Sequence, residues 1–160
     1  MPLITSVNDL VKILESRVAR ALELSRQEIY DVIKKYIDKY YTEPVFGGRN
    51  IPAMYRRTYQ LLESLIKTDI IRDGSYLTCK VQIDPDYLNY TYPGNSEDPQ
   101  NAFNPATGLD VMNWANEGLH GGTVSGNLNI WDDAIEELGG EAGIMDIVRR
   151  NMKACGVPIQ

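Results

Sequence analysis

Apolar residues recur at Val7, Leu10, Val11, Leu14, Val18, Ala21 and Leu22, and again at Ile29, Val32, Ile33, Tyr36, Ile37 and Tyr40. That three-and-four spacing predicts an N-terminal helical segment over residues 1–42, with Lys12, Glu15, Arg17 and Arg20 off the stripe. Ser6, three residues before Asp9, reads as a capping box in which Asp replaces the usual Glu. The pattern leaves open whether the segment is one helix or two joined near Leu24 to Gln27. Pro44, Gly47, Gly48 and Pro52 predict a break. A second helix follows from Ala53, with Tyr55, Tyr59, Leu62 and Ile66 on one face and Leu61 and Leu65 flanking it.

The period then falls to two. Thr68 and Ile70 alternate with Asp69, and Leu77, Cys79, Val81 and Ile83 alternate with Tyr76, Thr78, Lys80 and Gln82. The pair Asp73-Gly74 carries type I′ turn chemistry, so a β-hairpin over about 66–84 is expected, ended by Pro85. Residues 86–108 are rich in turn formers yet carry Tyr87, Tyr90, Tyr92 and Phe103. A loop of that kind is expected to order against a neighbour. Leu109 to Leu119 reads as a short helix, and a glycine-rich loop occupies 119–129. Trp131 to Leu138 reads as a helix capped by Asn129 and started by Asp132 and Asp133. After Gly139-Gly140, Ile144, Ile147, Val148 and Met152 form a last amphipathic helix that Gly156 stops.

These elements predict a single α+β domain over 1–160: a small antiparallel sheet, with its central hairpin, packed against N-terminal, middle and C-terminal helices. A length of 160 residues with 43% apolar and 24% charged residues suits one globular core. No apolar run is long enough for a membrane span, and the first residues lack the features of a secretion signal. Cys79 and Cys155 show no metal-type spacing and fit a reducing compartment. The net charge of −6 opposes generic nucleic-acid binding. It is unevenly spread: residues 1–80 hold thirteen bases against ten acids, and residues 81–160 hold three bases against twelve acids. Either this is a solvated surface, or the basic half of one copy meets the acidic half of the next, a head-to-tail contact that closes rings.

Candidate chemistry is sparse. His120 is the sole histidine, in E-G-L-H-G-G, three residues after Glu117. A catalytic zinc needs three protein ligands, and neither H-E-x-x-H nor a third ligand at fixed spacing is present. Ser125 lies in T-V-S-G-N without a nucleophile elbow. Asp132-Asp133 and Glu136-Glu137 fall where a solvated helix face is the default. No enzymatic activity, cofactor or metal is therefore expected. The rival readings are a small metal-dependent or hydrolytic enzyme centred on His120, and an intracellular adaptor that binds protein through tyrosine-rich loops.

Three stretches carry a family likeness: Y-R-R-T-Y-Q-L-L-E-S-L at Tyr55 to Leu65, W-A-N-E-G-L-H-G-G at Trp114 to Gly122, and the closing Trp131 to Ile159 segment ending G-V-P-I. In these the chain resembles the small neck proteins of tailed bacteriophages, the head–tail joining, tail-completion or minor structural components. The resemblance implies a virion structural protein that oligomerises into a ring around the DNA channel, found in the host cytoplasm during assembly. Its partners would be further copies and other neck and tail proteins, with DNA only as passing cargo. Interface candidates are Tyr55, Arg56, Arg57, Tyr59, Tyr87, Tyr90, Tyr92, Trp114, Glu117, His120 and Trp131. Arg56 and Arg57 would pair bidentately with carboxylates of a neighbour's C-terminal half.

Overall fold

A computed structural model describes residues 6–42, 60–88, 113, 116 and 129–159, with backbone alone at 40–42. The fold is α+β: a long N-terminal helix, a small antiparallel hairpin region and C-terminal helices. The N-terminal segment is one helix, α1, from Val7 to Thr42. Ser6 Oγ accepts the Asp9 N–H at 3.2 Å, and the Ser6 hydroxyl donates to the Asp9 carboxylate at 2.9 Å. The cap is thus formed, with the shorter Asp meeting the Ser6 hydroxyl. No helix breaker lies between Leu24 and Gln27, and Ser25 turns its hydroxyl back to the Ala21 carbonyl at 2.8 Å without interrupting the helix.

The second helix ends earlier than its apolar spacing predicts. Helix α2 runs from Gln60 to Glu63, and Leu65 and Ile66 belong to strand β1, Leu65–Lys67. Ser64 makes the change of direction: its N–H bonds the Gln60 carbonyl, its hydroxyl the Leu61 carbonyl, and its own carbonyl accepts the Asp84 N–H, each at 2.7 Å. Residues 43–59, where that helix was expected to begin, lie outside the described residues.

The hairpin is two nested two-stranded ladders. Strand β1 pairs with β4 (Val81–Ile83), and β2 (Ile71–Asp73) pairs with β3 (Tyr76–Thr78) in the register Ile71–Thr78, Arg72–Leu77, Asp73–Tyr76. The outer ladder is bracketed by Asp84 N–H to Ser64 O and Thr68 N–H to Lys80 O. Lys80 N–H returns to the Thr68 hydroxyl at 2.9 Å rather than to a backbone carbonyl. Between that pair and Ile71–Thr78, two residues, Asp69 and Ile70, stand opposite one, Cys79. This is a one-residue β-bulge. Leu77, Cys79, Val81 and Ile83 are half-buried, and Tyr76, Thr78, Lys80 and Gln82 exposed, as the alternation predicts. The turn differs from expectation by one residue and in type. Its two central residues are Gly74 and Ser75, with φ +59° at Gly74 and no positive φ at Ser75, the pattern of type II′ rather than I′.

Two compact units divide the chain. One contains α1 up to Val32, residues 67–81 and residues 135 onward. Here the C-terminal helix α4 (Gly140–Ala154) runs antiparallel to α1, because Arg17, Ser25 and Glu28 meet Gly156, Asn151 and Arg150 in reverse order. Ala21 and Ser25 are buried in this seam, with Leu138 and Ile147. On the hairpin side, Arg26 donates to Thr68 O, Lys67 reaches Gln27 and lies 4.4 Å from the Tyr30 ring centroid, and Arg72 pairs with Glu15 at 2.8 Å.

The other unit is built on Ile33 and Ile37 of α1, with Leu61, Ser64 and Leu65, Leu88, and Ile130 and Ala134 of helix α3 (Ile130–Glu137), all buried. Pro85 ends β4 and opens a 3-10 turn, Pro85–Tyr87, that Asp84 caps by accepting the Asp86 N–H at 3.0 Å. The turn carries Leu88 to its buried position, with Leu88 N–H on Pro85 O at 3.0 Å.

Candidate functional site

Of the interface candidates, Tyr87 and Trp131 lie among the described residues; Tyr55, Arg56, Arg57, Tyr59, Tyr90, Tyr92, Trp114, Glu117 and His120 lie outside them. Tyr87 stands exposed on the 3-10 turn. Trp131 is half-buried in the first turn of α3, and its backbone N–H donates to Asn116 Oδ1 at 3.0 Å. Asn129 N–H bonds Asn116 O at 3.2 Å, and Asn129 itself sits at φ +42°. Asn116 therefore supplies a helix cap from a distant part of the chain. Asn129, the expected cap, does precede the helix, and its carbonyl accepts the Asp133 N–H at 2.8 Å; Asn116 adds a second contact to the same helix start. In the W-A-N-E-G stretch it is the asparagine, not an interface candidate, that makes these contacts. No local sequence signal marks it, because the helix it contacts begins fourteen residues further on.

Part of the exposed surface is apolar. Val7, Leu10 and Val11 open the apolar stripe of α1, yet all three are exposed, Val7 to 77%. The ties that α1 makes to the hairpin and to the end of α4 begin with Glu15 and Arg17, one to two turns further on. On the hairpin, the bulge changes the parity of β2. Arg72, itself exposed, takes the face of Leu77 and pairs with Glu15, and Ile71 takes the opposite face with Asp73, Tyr76 and Thr78. Ile71 is 60% and Tyr76 74% exposed. The two form a diagonal aromatic–aliphatic pair on a two-stranded ribbon, open to water.

Charge is distributed with the same unevenness as in the sequence. From Ile130 to Val148 the chain holds six acids and no base. One of these acids, Asp133, has Lys39 at 3.9 Å. Lys35 and Lys39 flank the Tyr36 ring at 5.2 and 5.9 Å. Among the described residues no group of three His, Cys, Asp or Glu side chains is placed to hold a metal ion, and no helix is long and apolar enough to cross a membrane. Cys79 and Cys155 are free thiols, each half-buried.

Fold and surface thus define a small α+β protein with a long N-terminal helix, a small antiparallel hairpin region, C-terminal helices and open apolar side chains. The sequence model of the YomN family matches residues 6–154, and the chain belongs to that family. The family bears a phage-derived name, that of a protein of a Bacillus prophage, and the chain is accordingly a phage-associated protein. No curated protein and no solved structure matches the chain.

Proposed function

We propose that this phage-associated protein is a structural component of the virion neck, oligomerising into a ring that joins head to tail and acting by assembly rather than catalysis. The observation that carries the reading is the open apolar pair Ile71 and Tyr76 on the outer hairpin face, together with Val7, Leu10 and Val11 at the start of α1. Water-exposed aliphatic and aromatic side chains of that size gain about 1.5–3 kcal/mol each when a neighbour buries them fully. The charge split supports head-to-tail contacts, which close into rings. Its partners are then further copies and other neck and tail proteins, and its place is the virion, reached from the host cytoplasm.

The test is the mass of the purified chain in solution, alone and mixed with its neck partners, at low and high salt, with electron microscopy of any large species. A ring that dissociates on Ile71→Ser with Tyr76→Ser, while the thermal melt of the chain stays put, is the expected result. A chain that remains monomeric in every mixture overturns the proposal.

A further inference from the structure

The seam between α1 and α4 has three properties that bear on how copies would join. Beside its buried apolar residues it carries three polar contacts: Asn151 Nδ2 donates to Ser25 Oγ at 3.0 Å, Arg17 Nη1 to Gly156 O at 2.8 Å, and Arg150 pairs with Glu28. Ile147 is the one fully buried residue of α4, with Ile144, Val148 and Met152 half-buried, so the apolar surface bared by lifting the helix is surface that α1 of another copy can cover again. Finally, α4 is joined to α3 by a corner of two glycines in the left-handed region, Gly139 at φ +76° and Gly140 at φ +64°.

Glycine reaches positive and negative φ about equally, so this corner has a second conformation available in which α3 and α4 form one continuous helix. The side chains fit that form as well. On a helix of 3.6 residues per turn, Ile130, Ala134, Leu138, Met145, Val148 and Met152 all fall within about 40° of one line. Ile130, Ala134 and Leu138 are the buried positions around α3, whereas Met145 is 46% exposed while the corner is bent. Straightening thus prolongs one apolar stripe and carries the polar face of α4 away from its own α1.

We propose that α4 is an exchangeable arm: in the assembled protein Gly139 and Gly140 straighten, and α4 of one copy docks on α1 of a second copy through the Ser25–Asn151, Glu28–Arg150 and Arg17–Gly156 contacts. A second copy is the fitting occupant because the exchanged seam remakes every one of those contacts between identical residues, the usual low-cost route of swapped elements. The inference rests on the self-assembly reading above and specifies the contact through which copies are joined.

The experiment uses the full chain with Cys79→Ser and Cys155→Ser. Chains carrying only Ser25→Cys are mixed with size-tagged chains carrying only Asn151→Cys, assembled, oxidised and separated without reductant. Exchange produces a disulfide-linked pair of unequal chains in the oligomer fraction. A second variant, Gly139→Ala with Gly140→Ala, penalises the bent corner and favours the straight one, raising the cross-linked fraction roughly tenfold or more per substitution until it saturates. Oligomers that give no interchain disulfide, while the doubly substituted chain closes the bond within itself, overturn the exchange and leave ring formation standing. A chain that never oligomerises overturns both.

Discussion

Replacing Gly143 by alanine pits local helix propensity against tertiary contact. Gly143 lies in the first turn of α4, where alanine is favoured over glycine by up to about 1 kcal/mol on propensity alone. The corner reverses that expectation. Gly139 N–H bonds Glu136 O at 2.9 Å and Gly143 N–H bonds Gly139 O at 3.0 Å, which folds the end of α3 tightly over the start of α4. A Cβ on Gly143 would stand 1.9 Å from the Leu138 carbonyl oxygen and 2.8 Å from its carbon. The clashing atoms are backbone, so no rotamer change relieves them, and relief requires the corner to open by more than an ångström. Overpacking of this kind costs about 1–3 kcal/mol or more, and opening the corner also loosens Leu138, which is 5% exposed. The net expectation is a loss of about 1–3 kcal/mol, or a Tm lower by roughly 3–10 °C for a chain of this size. Thermal and urea melts followed by circular dichroism, at a dilution where the chain is monomeric, measure it. An unchanged or raised Tm refutes the corner geometry, because propensity would then have won.

Three further outcomes follow from single positions. Ile37→Ala, at a side chain with no exposure, is expected to cost about 2–5 kcal/mol in urea unfolding, whereas Val7→Ala at the exposed start of the same helix costs less than about 0.5. Asn116→Ala removes the acceptor of the Trp131 N–H and is expected to cost about 1 kcal/mol; hydrogen exchange at Trp131 should rise more than at Ile147. Gly74→Ala meets no atom within 4 Å, so its cost of about 1–2 kcal/mol comes wholly from the φ of +59°. Gly74→Asn, which tolerates that region, should recover part of the loss in the same melts.

Legible in the chain were the features that depend on neighbours along it. The Ser6–Asp9 cap, the alternation from Tyr76 to Ile83, Pro85 at the strand end and the glycine corner all appear where pattern and turn chemistry place them. The C-terminus of α4 closes as Gly156 predicts, with Val157 N–H on Met152 O and Gly156 N–H on Lys153 O. Illegible were outcomes set by a count or a partner elsewhere. Whether Leu65 and Ile66 continue a helix or begin a strand depends on Asp84 meeting Ser64. The side to which Ile71 points depends on a single extra residue between Thr68 and β2, because one step of register inverts a whole face.

Local periodicity and capping marked the N-terminal and C-terminal helices, the hairpin and their order, since each is written in residues a few positions apart, but not the bounds of the second helix or the turn. Tertiary structure decided which part of each apolar stripe is covered. Val7, Leu10 and Val11 follow the same spacing as Ile33 and Ile37, and they differ only in what packs beside them. It also decided that Asn116 contacts the start of a helix fourteen residues away, and that Gly143 must be glycine. Burial depends on partners distant along the chain, and even the close approach of Gly143 to Leu138, five residues away, depends on the backbone angles of the corner between them.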